Sequence, residues 1–100
     1  GDAVWWGRLV ENAVGACLCS SLHSVEYGVT YWREGTQEVD YVIARGRDIW
    51  AVEVKSGRSG KPSGLRRLCE QYPEARPLLV GAQGIPLEEF FSRDAASWLL

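Results

Sequence analysis

The sequence lacks the features that mark several common classes of protein. No apolar run approaches the ~18 residues that a membrane-spanning helix needs, and no charged start with an apolar run and a cleavage site marks a signal peptide. The three cysteines, Cys17, Cys19 and Cys69, form no Cys-x-x-Cys pair, and His23 is the only histidine. These absences argue against a zinc site, a disulfide scaffold and Cys/His catalysis, so we expect reduced thiols in a cytoplasmic protein.

Methionine is also absent, and the first residue is glycine. We therefore expect a fragment of a longer chain, forming one domain over residues 1–100 with a modest core. The hydrophobic content of 46% argues against disorder. Five tryptophans are many for this length, and we expect some to serve an interface as well as the core.

Acidic and basic residues nearly balance, which gives little support for a dedicated nucleic-acid binder. The formal net charge is −2, whereas such proteins are usually basic. The basic residues are nevertheless concentrated, because residues 45–67 carry seven of them against two acidic residues, a local net charge of +5. Contact with a nucleic-acid backbone is one interpretation of this block, and a solvated surface is the other. The predicted contacts are Arg45, Arg47, Arg58, Lys61, Arg66 and Arg67.

Hydrophobic periodicity predicts an α/β domain with a mixed sheet flanked by helices and a short helical tail. The helices are expected at 3–22 and 65–72, the strands at 28–34, 38–44, 49–55 and 75–81, a flexible loop at 56–64, and the helical tail at 86–100. In the first helix Gly7, Glu11 and Gly15 lie four apart, on one stripe. This stripe indicates either a close approach of another element near Glu11 or a packing surface of small residues.

The second hairpin carries charges where a core strand would carry valine or isoleucine. An even turn within Arg45–Asp48 sets Asp40 opposite Glu53 and Glu38 opposite Lys55. One face then holds Glu38, Asp40, Val42, Ala44, Ile49, Ala51, Glu53 and Lys55, and the other holds Val39, Tyr41, Ile43, Trp50, Val52 and Val54.

Two carboxylates facing each other on a sheet repel and destabilise it. The arrangement of Asp40 and Glu53 makes sense if a divalent cation lies between them, because Mg²⁺ binds one or two carboxylates together with waters and phosphate oxygens. Lys55, on the same face, is placed to neutralise a phosphate or orient a water. The alternative is an ordinary ion pair between Glu38 and Lys55 in a solvated surface.

The spacing of these residues resembles the PD-(D/E)XK nuclease superfamily. Asp40 is followed by twelve intervening residues and then Glu53-Val54-Lys55, with Glu11 on a helix upstream. Longer stretches, "LVENAVGACL", "YWREGTQEVDYVIA", "AVEVKSG", "YPEARPLLVG" and "GIPLEEFF", are similar to the uncharacterised C-terminal domain carried by prokaryotic AAA-type ATPases. The resemblance covers nearly the whole chain and implies a restriction-endonuclease-like core of α-β-β-β-α-β order.

The resemblance also implies roles for single residues. Glu11, Asp40 and Glu53 would bind Mg or Mn, and Lys55 would act as the catalytic lysine together with Asp40 and Glu53. Val39 replaces the proline of the superfamily motif without removing a chemical group. The expected function is metal-dependent hydrolysis of DNA phosphodiester bonds. A catalytically inactive module that binds DNA or a protein partner is the alternative.

An N-terminal ATPase domain in the full-length chain is also implied by the resemblance. The 100 residues contain no GxxxxGK[ST] motif, so we expect no ATP site in this fragment. The oligomeric state is left open by the sequence.

Overall fold

The chain folds around a four-stranded mixed sheet with helices on both faces. A computed structural model describes residues 2–22, 27–55 and 63–99. The predicted α-β-β-β-α-β order and helical tail are confirmed. The elements are α1 (Asp2–Ser21), β1 (Gly28–Glu34), β2 (Gln37–Arg45), β3 (Asp48–Lys55), α2 (Ser63–Gln71), β4 (Arg76–Gly81), α3 (Leu87–Ser92) and a 3₁₀ helix (Ala95–Trp98).

The sheet has the strand order β1-β2-β3-β4. The first three strands are antiparallel and are joined by two-residue turns, Gly35-Thr36 and Gly46-Arg47. In each turn the glycine has a positive φ, 63° and 60°, a conformation that favours glycine at the first central position of a tight hairpin. Strand β4 pairs with β3 in parallel, and α2 lies in the connection between them.

Each face of the sheet is covered by its own hydrophobic core. On one face α1 buries Val14 and Leu18 against the sheet, and Phe90 of α3 joins the same core. These α1 residues are four apart, so they lie on one side of the helix. On the other face Leu65 and Leu68 of α2 cover a smaller core.

The predicted pairing of β2 with β3 is confirmed over part of its length. The paired residues run from Arg45–Asp48 to Tyr41–Val52. The pairing ends there, so the expected cross-strand pairs Asp40–Glu53 and Glu38–Lys55 do not form.

A β-bulge in β2 explains why the pairing ends. Strand β1 pairs Thr30 with Val42 and Trp32 with Val39. Two steps along β1 thus match three steps along β2, so β2 contains one extra residue between Val39 and Val42. An extra residue reverses the alternation of side chains beyond it. The expectation that Val39 shares a face with Tyr41 and Ile43 is therefore wrong, because Val39 packs in the core beneath α2.

Candidate active site

A polar cavity of about 300 Å³ lies where β2, β3 and the first turns of α2 meet α1. Glu11, Asp40, Glu53 and Lys55, which come from three separate elements, all line it. The remaining lining residues are Thr36, Gln37, Glu38, Val54 and Gly64. The four residues predicted for metal binding and catalysis therefore share one cavity.

Asp40 reaches the cavity from the bulge in β2. Its Oδ2 accepts a hydrogen bond of 2.7 Å from the backbone N–H of Val54, at a point where the β2–β3 pairing has already ended. The side chain thus satisfies a backbone donor that would otherwise lack a partner on that edge. Burial raises the pKa of Asp40, the Val54 hydrogen bond offsets part of this effect, and the nearby charge of Glu38 adds to it.

Glu53 is the one buried charged side chain within the described residues, with 5% of its surface exposed. Its Oε2 has no hydrogen-bond partner in the same part of the chain. Burial raises the pKa of Glu53, the charge of Lys55 acts in the opposite direction, and the charge of Asp40 raises the pKa further. An ionised carboxylate with an unpartnered oxygen is unfavourable in a buried position unless a cation or donor reaches it.

Glu11 is brought to Asp40 by the close packing of α1 on β2. A Cβ at Gly15 would overlap the Tyr41 hydroxyl, so only glycine lets this ring lie against the helix. The Tyr41 hydroxyl donates a 3.0 Å hydrogen bond to the backbone carbonyl of Glu11. The close approach predicted from the glycine stripe is thus confirmed at Gly15, with Tyr41 as the positioning residue that the sequence analysis missed.

The carboxyl groups of Glu11 and Asp40 lie close enough to shift each other's pKa values. Burial raises the pKa of Glu11, and the charge of Asp40 and a hydrogen bond to its carboxyl group raise it further. The same hydrogen bond acts in the opposite direction on Asp40, whose pKa is nevertheless raised above its ordinary value. Two acids that compete in this way are typical of a site that a cation can neutralise.

Two further glycines fix the backbone around the cavity. A Cβ at Gly64 would overlap the carbonyl group of Glu38, so α2 begins directly against β2. A Cβ at Gly81, which has a φ of 104°, would overlap the carbonyl group of Lys55. That carbonyl accepts a 2.8 Å hydrogen bond from the backbone N–H of Ala82, which holds the end of β3.

Of the four predicted nucleic-acid contacts that the structure describes, the two at the hairpin turn lie away from the cavity. Arg45 and Arg47 lie at the opposite end of the hairpin from Asp40, about 16 Å along the strand at ~3.3 Å per residue. The Arg45 guanidinium stacks on the rings of Tyr27 and Trp50, at 5.4 and 5.5 Å from their centroids, and donates a hydrogen bond to the Tyr27 hydroxyl. Arg45 therefore has a structural role at that end.

Arg66 and Arg67 lie nearer to the cavity, on α2. A neighbouring cavity of about 220 Å³ is lined by both arginines and by Gln37, which also lines the first cavity. Both are paired with acids: Arg67 Nε lies 2.9 Å from Glu34 Oε1, and Arg66 Nε lies 3.4 Å from Glu70 Oε1. Arg58 and Lys61 fall outside the described residues.

The donor atoms of the cavity suit a hard divalent cation. In residues 2–22, 27–55 and 63–99, no three His, Cys, Asp or Glu side chains come close enough to form a complete metal cage. Magnesium does not need such a cage, since it is held by one or two carboxylates and keeps several waters. The unpartnered Oε2 of Glu53 and the carboxyl group of Asp40 fit this kind of site.

The fold and the cavity define a mixed-sheet α/β domain with an acidic site at the end of its central hairpin. The chain belongs to the family described as "Domain of unknown function (DUF4143)", whose model matches residues 6–90. The matched range contains every residue that lines the cavity. Searches of curated proteins and of solved structures found no match. None of the helices that the structure describes is long and apolar enough to cross a membrane.

Proposed function

We propose that this domain hydrolyses DNA phosphodiester bonds with Mg or Mn, as a PD-(D/E)XK-type nuclease module of a cytoplasmic ATPase. The observation that carries the proposal is the buried Glu53, whose Oε2 has no partner among the described residues, in a cavity shared with Glu11, Asp40 and Lys55. A fold selected only for stability would avoid a buried, unpartnered carboxylate. Binding a divalent cation accounts for its presence.

Each residue of the cavity has a distinct part in this proposal. Asp40 and Glu53 would hold the cation and Glu11 would accept a hydrogen bond from one of its waters, whereas the cation itself would polarise the phosphoryl group. The Val54 N–H fixes the Asp40 carboxyl group, so this group needs little reorganisation when it binds. The positive charge of Lys55 lowers the pKa of both Asp40 and Glu53. Lys55 thus favours their ionised, cation-binding forms and lies within the cavity to orient a water or a phosphate oxygen.

A catalytically inactive module that binds DNA or a protein partner for the ATPase is the second candidate. Two observations favour it. The described carboxylates do not form a complete metal cage, and the described arginines of the basic block, apart from Arg47 in the hairpin turn, are engaged by acids or aromatic rings.

The two candidates are separated by metal binding and cleavage measured on the same protein. The purified chain is incubated with plasmid or branched DNA and Mg²⁺ or Mn²⁺, beside Glu53→Ala and Lys55→Met. Nuclease function predicts cleavage that falls by at least about 100-fold in both variants, while the exposed Glu74→Gln variant keeps full activity. Circular dichroism verifies that all four proteins are folded.

If no cleavage is seen, calorimetric titration with Mn²⁺ tests whether the cavity binds a metal ion at all. Binding of Mn²⁺ that is lost in Glu53→Ala supports a metal site even before a DNA substrate is found. If the wild-type chain shows no cleavage and also binds no Mn²⁺ at millimolar concentration, the nuclease proposal is refuted and the binding module is left.

A further inference from the structure

The outer face of α1, on the side away from the sheet, is unusually apolar for a helix surface. Trp5, Trp6 and Leu9 are 65%, 48% and 45% exposed. The exposed side chains that the structure describes on this helix are Trp5, Trp6, Arg8, Leu9, Asn12, Ala13, Ala16, Cys19 and Ser20. Arg8 is the only charged residue among them. A contiguous apolar patch on an exposed surface, with polar residues around it, is typical of a protein–protein contact.

The exposed residues change in size along the helix. Trp5, Leu9, Ala13, Ala16 and Ser20 recur at spacings of three and four, so they form one stripe along α1. The N-terminal half of this stripe is bulky and its C-terminal half is small. Such a surface is complementary to itself when two copies pack antiparallel, because the large half of each helix then meets the small half of the other.

We propose that two copies of this chain dimerise through the α1 stripe, with the two α1 helices antiparallel about a two-fold axis. Trp5 of one copy then faces Ser20 of the other, and Leu9 faces Ala16. Each contact occurs twice, as a two-fold interface requires. The interface is separate from the cavity and does not depend on the proposed nuclease activity.

The size of the stripe suits a dimer of moderate affinity. A large aromatic side chain buries about 150–250 Å² when it is fully covered. Covering the exposed parts of Trp5, Trp6 and Leu9 and the small residues opposite them, on both copies, removes on the order of 1,000 Å² from water. This is below the roughly 1,200–2,000 Å² of stable specific interfaces, so we expect a reversible dimer that dissociates at micromolar concentration or above.

Sedimentation equilibrium of the 100-residue chain from micromolar to millimolar concentration tests the dimer. The wild-type chain should dimerise, and Leu9→Lys or Ala16→Glu alone should each weaken the dimer at least about tenfold. The double variant, Leu9→Lys with Ala16→Glu, should recover most of the affinity, because antiparallel packing sets the new opposite charges face to face. Circular dichroism confirms that each variant is folded.

A control at another exposed aromatic residue locates the interface. Tyr31, on the edge strand β1, is 72% exposed, and Tyr31→Lys should leave the dimer unchanged. A wild-type chain that stays monomeric, or a double variant no tighter than the weaker single variant, would overturn the proposal. Loss of the dimer in Tyr31→Lys but not in Leu9→Lys would place the interface at the β1 edge and overturn it equally.

Discussion

Replacing Glu53 by glutamine removes a buried charge from the cavity and nearly keeps the shape of the side chain. Glu53 is 5% exposed, and its Oε2 has no partner among the described residues. A buried polar atom without a partner costs about 1–3 kcal/mol, and more when it is charged. We therefore expect Glu53→Gln to raise the free energy of unfolding of the metal-free domain by about 1–2 kcal/mol at neutral pH.

The gain from Glu53→Gln must depend on pH. The folded-state pKa of Glu53 lies above its ordinary value of 4.5, because burial disfavours the charged form. The folded domain therefore binds this proton more tightly than the unfolded chain, and wild-type stability falls as the pH rises through the interval between the two pKa values. Glutamine does not titrate. The increase in the free energy of unfolding caused by Glu53→Gln is therefore absent at pH values below both pKa values and complete at pH values above both. Its full size is about 1.4 kcal/mol for every pH unit that separates the folded-state pKa from the unfolded-state pKa.

Thermal melts across this pH interval, with a chelator present, measure the effect. A change of about 1 kcal/mol shifts the Tm of a domain of this size by roughly 4–8 °C. The exposed Glu74→Gln serves as the control and should stay within about 0.5 kcal/mol of wild type at every pH. Mg²⁺ at ten times its Kd should stabilise the wild type by about 1.4 kcal/mol and the Glu53→Gln variant by less. A Glu53→Gln effect that is the same at acidic and neutral pH would refute the reasoning.

Two further predictions concern the glycines that allow close packing at the cavity. Gly15→Ala should lower the free energy of unfolding by about 1–3 kcal/mol in urea, because a Cβ overlaps the Tyr41 hydroxyl. Ala13→Gly on the same helix, measured at a concentration too low for dimerisation through α1, isolates the propensity effect of about 1 kcal/mol. A stabilised Gly15→Ala variant would contradict the packing of Tyr41 on the helix. Gly64→Ala should push α2 away from the Glu38 carbonyl and speed amide hydrogen exchange in α2. Unchanged amide hydrogen exchange in α2 would contradict the expected displacement of this helix.

The order of elements and the pairing of the hairpins could be predicted because both depend on local signals. Alternating apolar residues and glycine-containing turns fix where the strands of a hairpin begin and which residues face each other. The predicted bounds of β1, residues 28–34, agree with Gly28–Glu34, and the pairing of Ile43 with Trp50 follows from the Gly46 turn.

The bulge in β2 could not be predicted in the same way. Val39, Tyr41 and Ile43 alternate without a break in the sequence, so nothing local marks the extra residue. Its position depends on β1, which skips one residue of β2, and on the hydrogen bond from Val54 to Asp40. Both are contacts between segments distant in sequence. A sequence pattern therefore predicts which acidic residues line the cavity, but it does not predict on which side of the sheet each side chain lies.

The sequence could not decide whether Glu53 is buried or solvated, for a related reason. An acidic residue in a strand is normally interpreted as facing solvent, and only the three-dimensional packing around β3 reveals that it does not. The structural role of Arg45 could not be predicted either, because its contacts with Tyr27 and Trp50 join residues from three segments of the chain. In both cases the sequence gives the type of residue, and the tertiary contacts decide whether its charge is available to a ligand.

The bulge links the stability of the sheet to the chemistry of the site through one side chain. Asp40 accepts a hydrogen bond from the Val54 N–H in place of a strand partner, and its charge also raises the pKa of Glu11. Any substitution of Asp40 therefore removes a structural hydrogen bond together with a candidate metal ligand, and lost activity in such a variant would not distinguish the two roles. Glu53 has no such structural bond at Oε2 in the described part of the chain. Glu53, rather than Asp40, is therefore the residue at which a chemical role can be separated from a structural one.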